Sequence, residues 1–301
     1  MKKLYSVLVA FGGWWLSSCV SLNAVNTFST SATTSLQQNT TLPTTFTDVY
    51  RQRVQEDSLD RHPFNRIPVV GIDFANRVRR DSLRSYQLAD SLTTAGTKLL
   101  TDYFQALANL SATGSSFVPV RLKSPTFENF LQHSAIKLTA DQVVSFNRIT
   151  NLVGAAATGA YRRRKLGSLL EESHEDVRQL IGVLAFGYER LAAVVDISRD
   201  QQYGNYKNGM IRDPTLTYTQ KRDLARQWLQ TAKNTEQTQL AILTHVKALK
   251  TIQAGYDELY RYRHDLSRKE LMATAGLYAS SLQQLRADLE QLKPIYGRLH
   301  P

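Results

Sequence analysis

The chain has 301 residues, with 37 Lys and Arg against 26 Asp and Glu, a net charge of +11 and one cysteine. A single cysteine excludes an intrachain disulfide and a thiolate metal cluster. With 42% hydrophobic residues, 15 glycines and 8 prolines, the composition excludes a collagen-like or wholly disordered chain and provides for a packed core.

The first nineteen residues read differently from the rest. Lys2 and Lys3 precede residues 4–16, which are mainly apolar and uncharged. A basic start, a short apolar run and small residues before a cut site are the parts of a secretory signal. The run is too short for a bilayer span of about 20 residues. It leads into Leu16, Ser17, Ser18 and Cys19, that is, a branched apolar residue, two small ones and the only cysteine. This stretch resembles the bacterial lipobox. The resemblance implies a signal peptide over residues 1–18, cleavage between Ser18 and Cys19, a diacylglycerol on the Cys19 thiol and acylation of the new α-amine. A thiolate is the nucleophile such chemistry needs, and three acyl chains exceed the two signals that stable anchoring takes. Cleavage removes Lys2 and Lys3 and lowers the charge to +9. Val20 follows, rather than the aspartate of the enterobacterial inner-membrane retention signal. The resemblance therefore implies the cell envelope, and the periplasmic face of the outer membrane in a Gram-negative cell.

Residues 20–47 are rich in Ser, Thr, Asn and Gln, and STSATTSLQQNTTLPTT carries no charge. So polar a stretch is expected to leave residues 19–47 as a flexible tether, with an r.m.s. reach on the order of 30 Å. Residues 48–301 then form a single domain. A short helix is expected over 48–59, followed by an irregular segment interrupted by Pro63 and Pro68. Leu88, Leu92, Ala95, Leu99, Tyr103, Ala106 and Leu110 step by threes and fours and predict the first long helix. SATGSS at 111–116 ends it. A connector with Pro119 and Pro125 follows, with a short helix at 126–133.

Three capping boxes open three later helical runs: Thr139 with Gln142, Thr217 with Gln220 and Ser267 with Glu270. The second helix carries Val143, Phe146, Ile149, Val153, Ala157 and Ala160, and the third Val177, Ile181, Leu184, Tyr188, Leu191 and Val195. A bend near Gly167 separates them. Residues 201–215 are expected as a turn-rich loop, and the fourth helix, over about 218–262, spans roughly 65 Å. Leu271, Ala275, Tyr278, Leu282, Leu285, Leu289 and Leu292 make a heptad seam, either internal or open to a second copy, stopped by Pro294. No segment alternates like a strand. The fold expected is all-α: an elongated bundle of four or five long antiparallel helices with a coiled-coil-like C-terminal hairpin.

The chemistry is sparse. Glu171, Glu172 and His174 give one Glu-x-x-His where a di-iron bundle uses two, so they read as charges at a helix start, and no metal or cofactor is expected. The chain has no Gly-x-Ser-x-Gly elbow, phosphate-cradling glycine loop or His-Glu-x-x-His, and no catalytic residue stands out. The densest basic stretches are Arg162, Arg163, Arg164 and Lys165, and Arg261 and Arg263 among Tyr256, Tyr260 and Tyr262. An exported, lipid-anchored protein has little access to nucleic acid. Anionic headgroups or an acidic partner are the expected contacts, with the first run also read as offsetting a helix C-terminus. The small-residue stretch 151–161 and the apolar stretch 180–197 allow a membrane-active hairpin, against which Glu189 and Arg190 count as mid-span charges. The resulting expectation is a non-catalytic binding or scaffold module that offers a helical surface to an envelope protein or to itself. The alternative is a small-ligand binder or enzyme with its site inside the bundle.

Overall fold

The computed structural model describes residues 22–38, 42–59, 72–112, 162–266 and 268–296, with positions 141, 144 and 148. Among these residues the chain is an all-α bundle without a strand, built from α1 (Asn23–Gln37), α2 (Phe46–Leu59), α3 (Ile72–Ser111), α4 (Arg162–Arg212), α5 (Tyr218–Arg261) and α6 (Lys269–Tyr296). The expected irregular segment after 59, the short helix at 126–133, the Thr139 box and all of the second helix but 144 and 148 lie outside the described residues.

The first departure from expectation is α1. Residues 23–37 are no tether: they form a helix that buries Ala24, Val25, Phe28, Ala32 and Leu36. The polar residues between are short, and two of their hydroxyls bond back along the helix, while the buried Ser29 Oγ has no partner among the described residues. Thr33 Oγ1 donates to Ser29 O at 2.8 Å and Thr34 Oγ1 to Thr30 O at 2.9 Å. Hydroxyls satisfied by their own backbone can enter an interior at little cost. The apolar residues are few, but they recur at the helical period.

Register follows from pair contacts. Asn26 Nδ2 donates to Ala108 O at 2.8 Å, and Phe28 meets Phe104 edge-on at 5.8 Å, so α1 runs antiparallel to α3. Gln38 Nε2, just past α1, donates to Glu290 Oε1 near the end of α6 at 3.0 Å. Thr97 pairs with Tyr188 at 3.4 Å and Tyr103 with Ser173 at 2.6 Å, so α3 and α4 are antiparallel. Ser173 with Tyr256, Tyr188 with His245 and Tyr203 with Trp228 make α4 and α5 antiparallel too. The core is continuous through all six helices, with Phe46, Leu100, Leu107, Leu184, Leu249, Ile252 and Leu282 among its members. The α2 start is held by α3: Asp90 Oδ1 accepts from Phe46 N at 2.7 Å and Asp90 Oδ2 from Thr47 N at 2.9 Å, a carboxylate on the positive helix end.

Three more expectations change. Gly167 makes no bend but lies within α4, where a Cβ would come 2.9 Å from Arg263 O; glycine permits that close approach. Arg162, Arg163, Arg164 and Lys165 consequently open a helix instead of offsetting the end of one. The expected loop at 201–215 is helical to Arg212. Tyr203 and Tyr206 pack on Trp228 of α5 at 5.3 and 5.8 Å, and this packing outweighs the helix penalty of about 1 kcal/mol each for Gly204 and Gly209. The real turn is 213–217, where Asp213 Oδ1 accepts from Thr215 N at 2.9 Å. The Thr217–Gln220 capping box is present; Ser267 lies outside the described residues. The heptad seam of α6 faces inward, with Leu271, Ala275, Leu282, Leu285 and Leu289 buried, and α6 continues past Pro294 to Tyr296.

Candidate functional site

The register collects one end of the bundle. Phe28 of α1 is level with Gly255 of α5, and Leu22, six residues earlier, is therefore level with the α5–α6 turn. The end of α3 and the first turns of α4 lie there too, since Asn26 bonds Ala108 and Gly167 abuts Arg263. Arg162, Arg163, Arg164 and Lys165 in the first turns of α4 thus share an end with Arg261 and Arg263, the two basic stretches that stand about a hundred residues apart in sequence. Ser18 and Cys19 lie outside the described residues, four and three positions before Leu22.

The turn that carries this end is tightly bonded. Arg263 N donates to Tyr260 O at 3.2 Å and Asp265 N to Tyr262 O at 2.9 Å. Arg261 pairs with Glu258 at 3.0 Å, Arg263 with Glu171 at 3.5 Å and Arg268 with Asp265 at 3.4 Å. The Arg263 guanidinium lies 4.3 Å over the Tyr260 ring and that of Arg268 5.7 Å over Tyr262. Arg261 and Arg268 nonetheless stay mostly in solvent, with side chains 70% and 58% exposed. Pairs so exposed fix geometry more than stability.

Behind this end lies a buried hydroxyl triangle that the sequence did not announce. Tyr103 Oη, Ser173 Oγ and Tyr256 Oη lie 2.6 to 2.9 Å from one another. Ser173 Oγ donates to Leu169 O. One tyrosine then donates to Ser173 and the other to the first tyrosine, so all three protons have acceptors. Burial pushes Tyr103 up to about 12 and Tyr256 well above the ordinary tyrosine value. Both stay protonated at neutral pH and act as pins between α3, α4 and α5, unsuited to proton transfer.

His174, from the Glu-x-x-His, stacks on Tyr260 at 3.7 Å between centroids, and its Nε2 lies 2.9 Å from Asp257 Oδ1. Arg178 shares that carboxylate at 3.3 Å. No group of three or more His, Cys, Asp and Glu able to hold a metal occurs among the described residues. His245 is also buried, edge-on to Tyr188 at 4.7 Å, and neither ring nitrogen has a partner among the described residues. Burial lowers its pKa to about 4. The sequence hint was weak: His245 falls on the inner stripe of α5, between Ile242 and Leu249.

Two outer features remain. An open groove of about 600 Å³ runs beside the start of α2, against α4 and α5, with Thr44, Asp48, Ser198, Asn234 and Thr238 in its lining. Ser198 Oγ is buried there with no partner among the described residues. The groove is remote from His174. On the outer face of α4, Phe186 and Ile197 stand eleven residues apart, about three turns, and both are more than half exposed. Leu229 and Leu240 repeat that spacing on α5, again more than half exposed. Glu189, feared as a mid-span charge, pairs with Lys250 at 2.7 Å across the surface of the same two helices. No described helix is long and apolar enough to cross a membrane. No family model, curated protein or solved structure matches the chain.

Proposed function

We propose that this protein is a lipid-anchored component of a bacterial cell envelope that acts as a non-catalytic binding or scaffold module through the outer face of α4 and α5. The single observation that carries the binding half is the repeated outward apolar spacing, Phe186 with Ile197 on α4 and Leu229 with Leu240 on α5. Isolated exposed apolar residues need no explanation, but two pairs at three-turn spacing on adjoining helices form a ladder that another helix can read. The Leu16, Ser17, Ser18, Cys19 stretch supplies the anchor. The membrane is then the first partner, and an envelope protein or a second copy the other.

The test is site-specific photo-crosslinking in native envelopes, with the probe at Ile197 or Leu240 and, for comparison, at the exposed Gln283 of α6. Adducts of one defined mass from Ile197 and Leu240, absent from Gln283 and lost with Cys19→Ser, are expected. Equal labelling from all three sites would remove the proposed face.

A second reading has its own observation, the groove with the Ser198 Oγ that has no partner among the described residues. Its lining of hydroxyls and amides, with Asp48 and Arg51 at the α2 side, suits a polar ligand such as a sugar or a peptide. Ser198→Ala would then abolish ligand-induced thermal stabilisation while leaving the crosslinks from Ile197 intact.

A further inference from the structure

We infer that the protein has no stalk, and that the basic end formed by the first turn of α4 and the α5–α6 turn is seated directly on anionic phospholipid headgroups. This rests on the lipid anchor proposed above and adds the orientation of the body and the chemistry of its contact. Three observations combine.

The first is reach. α1 begins at Asn23 and is packed into the core from its first residues, Leu22, Ala24 and Val25 all being buried. Only three residue steps separate Cys19 from Leu22, a span of at most about 11 Å even when fully extended. A flexible tether over residues 19–47 would have let the bundle stand off the bilayer in any orientation. With residues 23–37 in the bundle, the acyl chains fix the end of the molecule that contains Leu22.

The second is what shares that end. The register places Leu22 level with the α5–α6 turn and the start of α4. Residues 162–165 and 260–270 hold eight Arg and Lys, namely Arg162, Arg163, Arg164, Lys165, Arg261, Arg263, Arg268 and Lys269, against Asp265 and Glu270. Adding Glu171 and Glu258, which pair with Arg263 and Arg261, and Glu172 beside the first, these residues carry eight positive against five negative charges, a net +3. The three-residue link is comparable to the Debye length of about 8 Å at physiological ionic strength, so this charge lies within electrostatic reach of the surface into which the acyl chains insert. Basic residues held that close to anionic lipid are attracted to it.

The third is shape. Arg261, Arg268 and Lys269 are exposed on a tightly bonded turn, and Tyr260 and Tyr262 lie half-buried beneath Arg263 and Arg268. Tyrosine with arginine is a pairing suited to the headgroup layer. The run at 162–165 no longer has a helix C-terminus to offset, because it opens α4.

The acylated full-length protein, reconstituted into phosphatidylethanolamine vesicles with and without phosphatidylglycerol, tests this. Because Cys19 is consumed by the lipid, an introduced cysteine is the only free thiol. A fluorophore is placed by His264→Cys at the α5–α6 turn or by Thr215→Cys at the opposite turn, and quenching by lipids brominated near the headgroup is read. Strong quenching at 264 and none at 215, enhanced by phosphatidylglycerol, is expected. Arg261→Gln, Arg268→Gln and Lys269→Gln together should lower the quenching at 264 several-fold in phosphatidylglycerol vesicles while the protein stays anchored. Equal quenching at both sites, or more at 215, overturns the seat. Intact mass separates the two readings. A protein without the acyl mass on Cys19 refutes the anchor and the seat with it, whereas an acylated protein that is unquenched at 264 refutes the seat alone.

Discussion

Phe28 fills the space beside Gly255: a Cβ at position 255 would lie 2.2 Å from Phe28 Cε2 and 2.8 Å from its Cζ. This contact joins the polar N-terminal helix to the middle of the bundle, and both residues are fully buried or nearly so. In a helix interior, Gly→Ala is favourable by about 1 kcal/mol. Here the aromatic ring cannot shift without disturbing Phe104, which in turn packs edge-on against Tyr256, so overpacking of about 1–3 kcal/mol wins. Gly255→Ala is therefore expected to lower stability. Gly182→Ala, where a Cβ meets nothing within 4 Å, should raise it by up to about 1 kcal/mol. Urea unfolding of both variants measures the difference, and two changes of the same sign would contradict the packing of α1.

If α1 is a core element, its amides should be protected as well as those of α5. Hydrogen exchange on the full chain is expected to show slow exchange over residues 25–37. Phe28→Ala should cost about 3–5 kcal/mol, where a substitution in a flexible stalk would cost nothing. Exchange at the rate of an unstructured peptide would restore the tether.

The hydroxyl triangle makes an asymmetric prediction. Removing either tyrosine hydroxyl leaves the other donating to Ser173, which still donates to Leu169 O, so no donor is orphaned. Tyr103→Phe or Tyr256→Phe should then cost only about 0.5–1.5 kcal/mol. Ser173→Ala breaks the exit to the backbone and strands one tyrosine proton, which should cost about 1–3 kcal/mol. Thermal or urea denaturation of the three variants checks the order. A larger loss for either tyrosine than for Ser173→Ala would show that the proton chain runs differently.

How far the sequence reaches can be judged from these residues. The stripes of α3, of the middle of α4 and of α6 were legible because large apolar residues recur at threes and fours, and the Thr217 box marked the start of α5 to the residue. α1 was hidden because its stripe is thin: Ala24, Val25, Phe28 and Ala32 are set among hydroxyls, and composition outweighs period in such a stretch. The loop expected at 201–215 failed for the opposite reason. Its Gly, Asn and Asp signals are local, while Trp228, which holds Tyr203 and Tyr206 in a helix, is more than twenty residues away. The two basic stretches were visible separately. Their meeting at one end, beside Leu22, depends on the order in which helices pack, and no local pattern carries that. The hydroxyl triangle is likewise a meeting of three helices, with nothing in the neighbours of Tyr103, Ser173 or Tyr256 to point at it.

His245 provides the last prediction, a dependence of stability on pH. In the folded protein it is buried and its pKa is lowered to about 4, below the ordinary value of about 6.5 that the unfolded chain retains. Between these values the unfolded chain binds the proton and the folded one does not. Stability therefore falls as pH drops from about 6.5 to about 4, by up to ~3 kcal/mol from this residue, and levels off below that. The wild-type curve sums over every titrating group of the chain, so it alone cannot isolate the histidine. His245→Leu does. It removes the titrating group along with two buried nitrogens that have no partner among the described residues, so it should be about neutral or mildly stabilising at pH 7. The gap between variant and wild type should then widen steadily on acidification toward pH 4. Parallel curves for the two proteins across pH 7 to 4 would show that His245 finds a partner for its proton in the folded state.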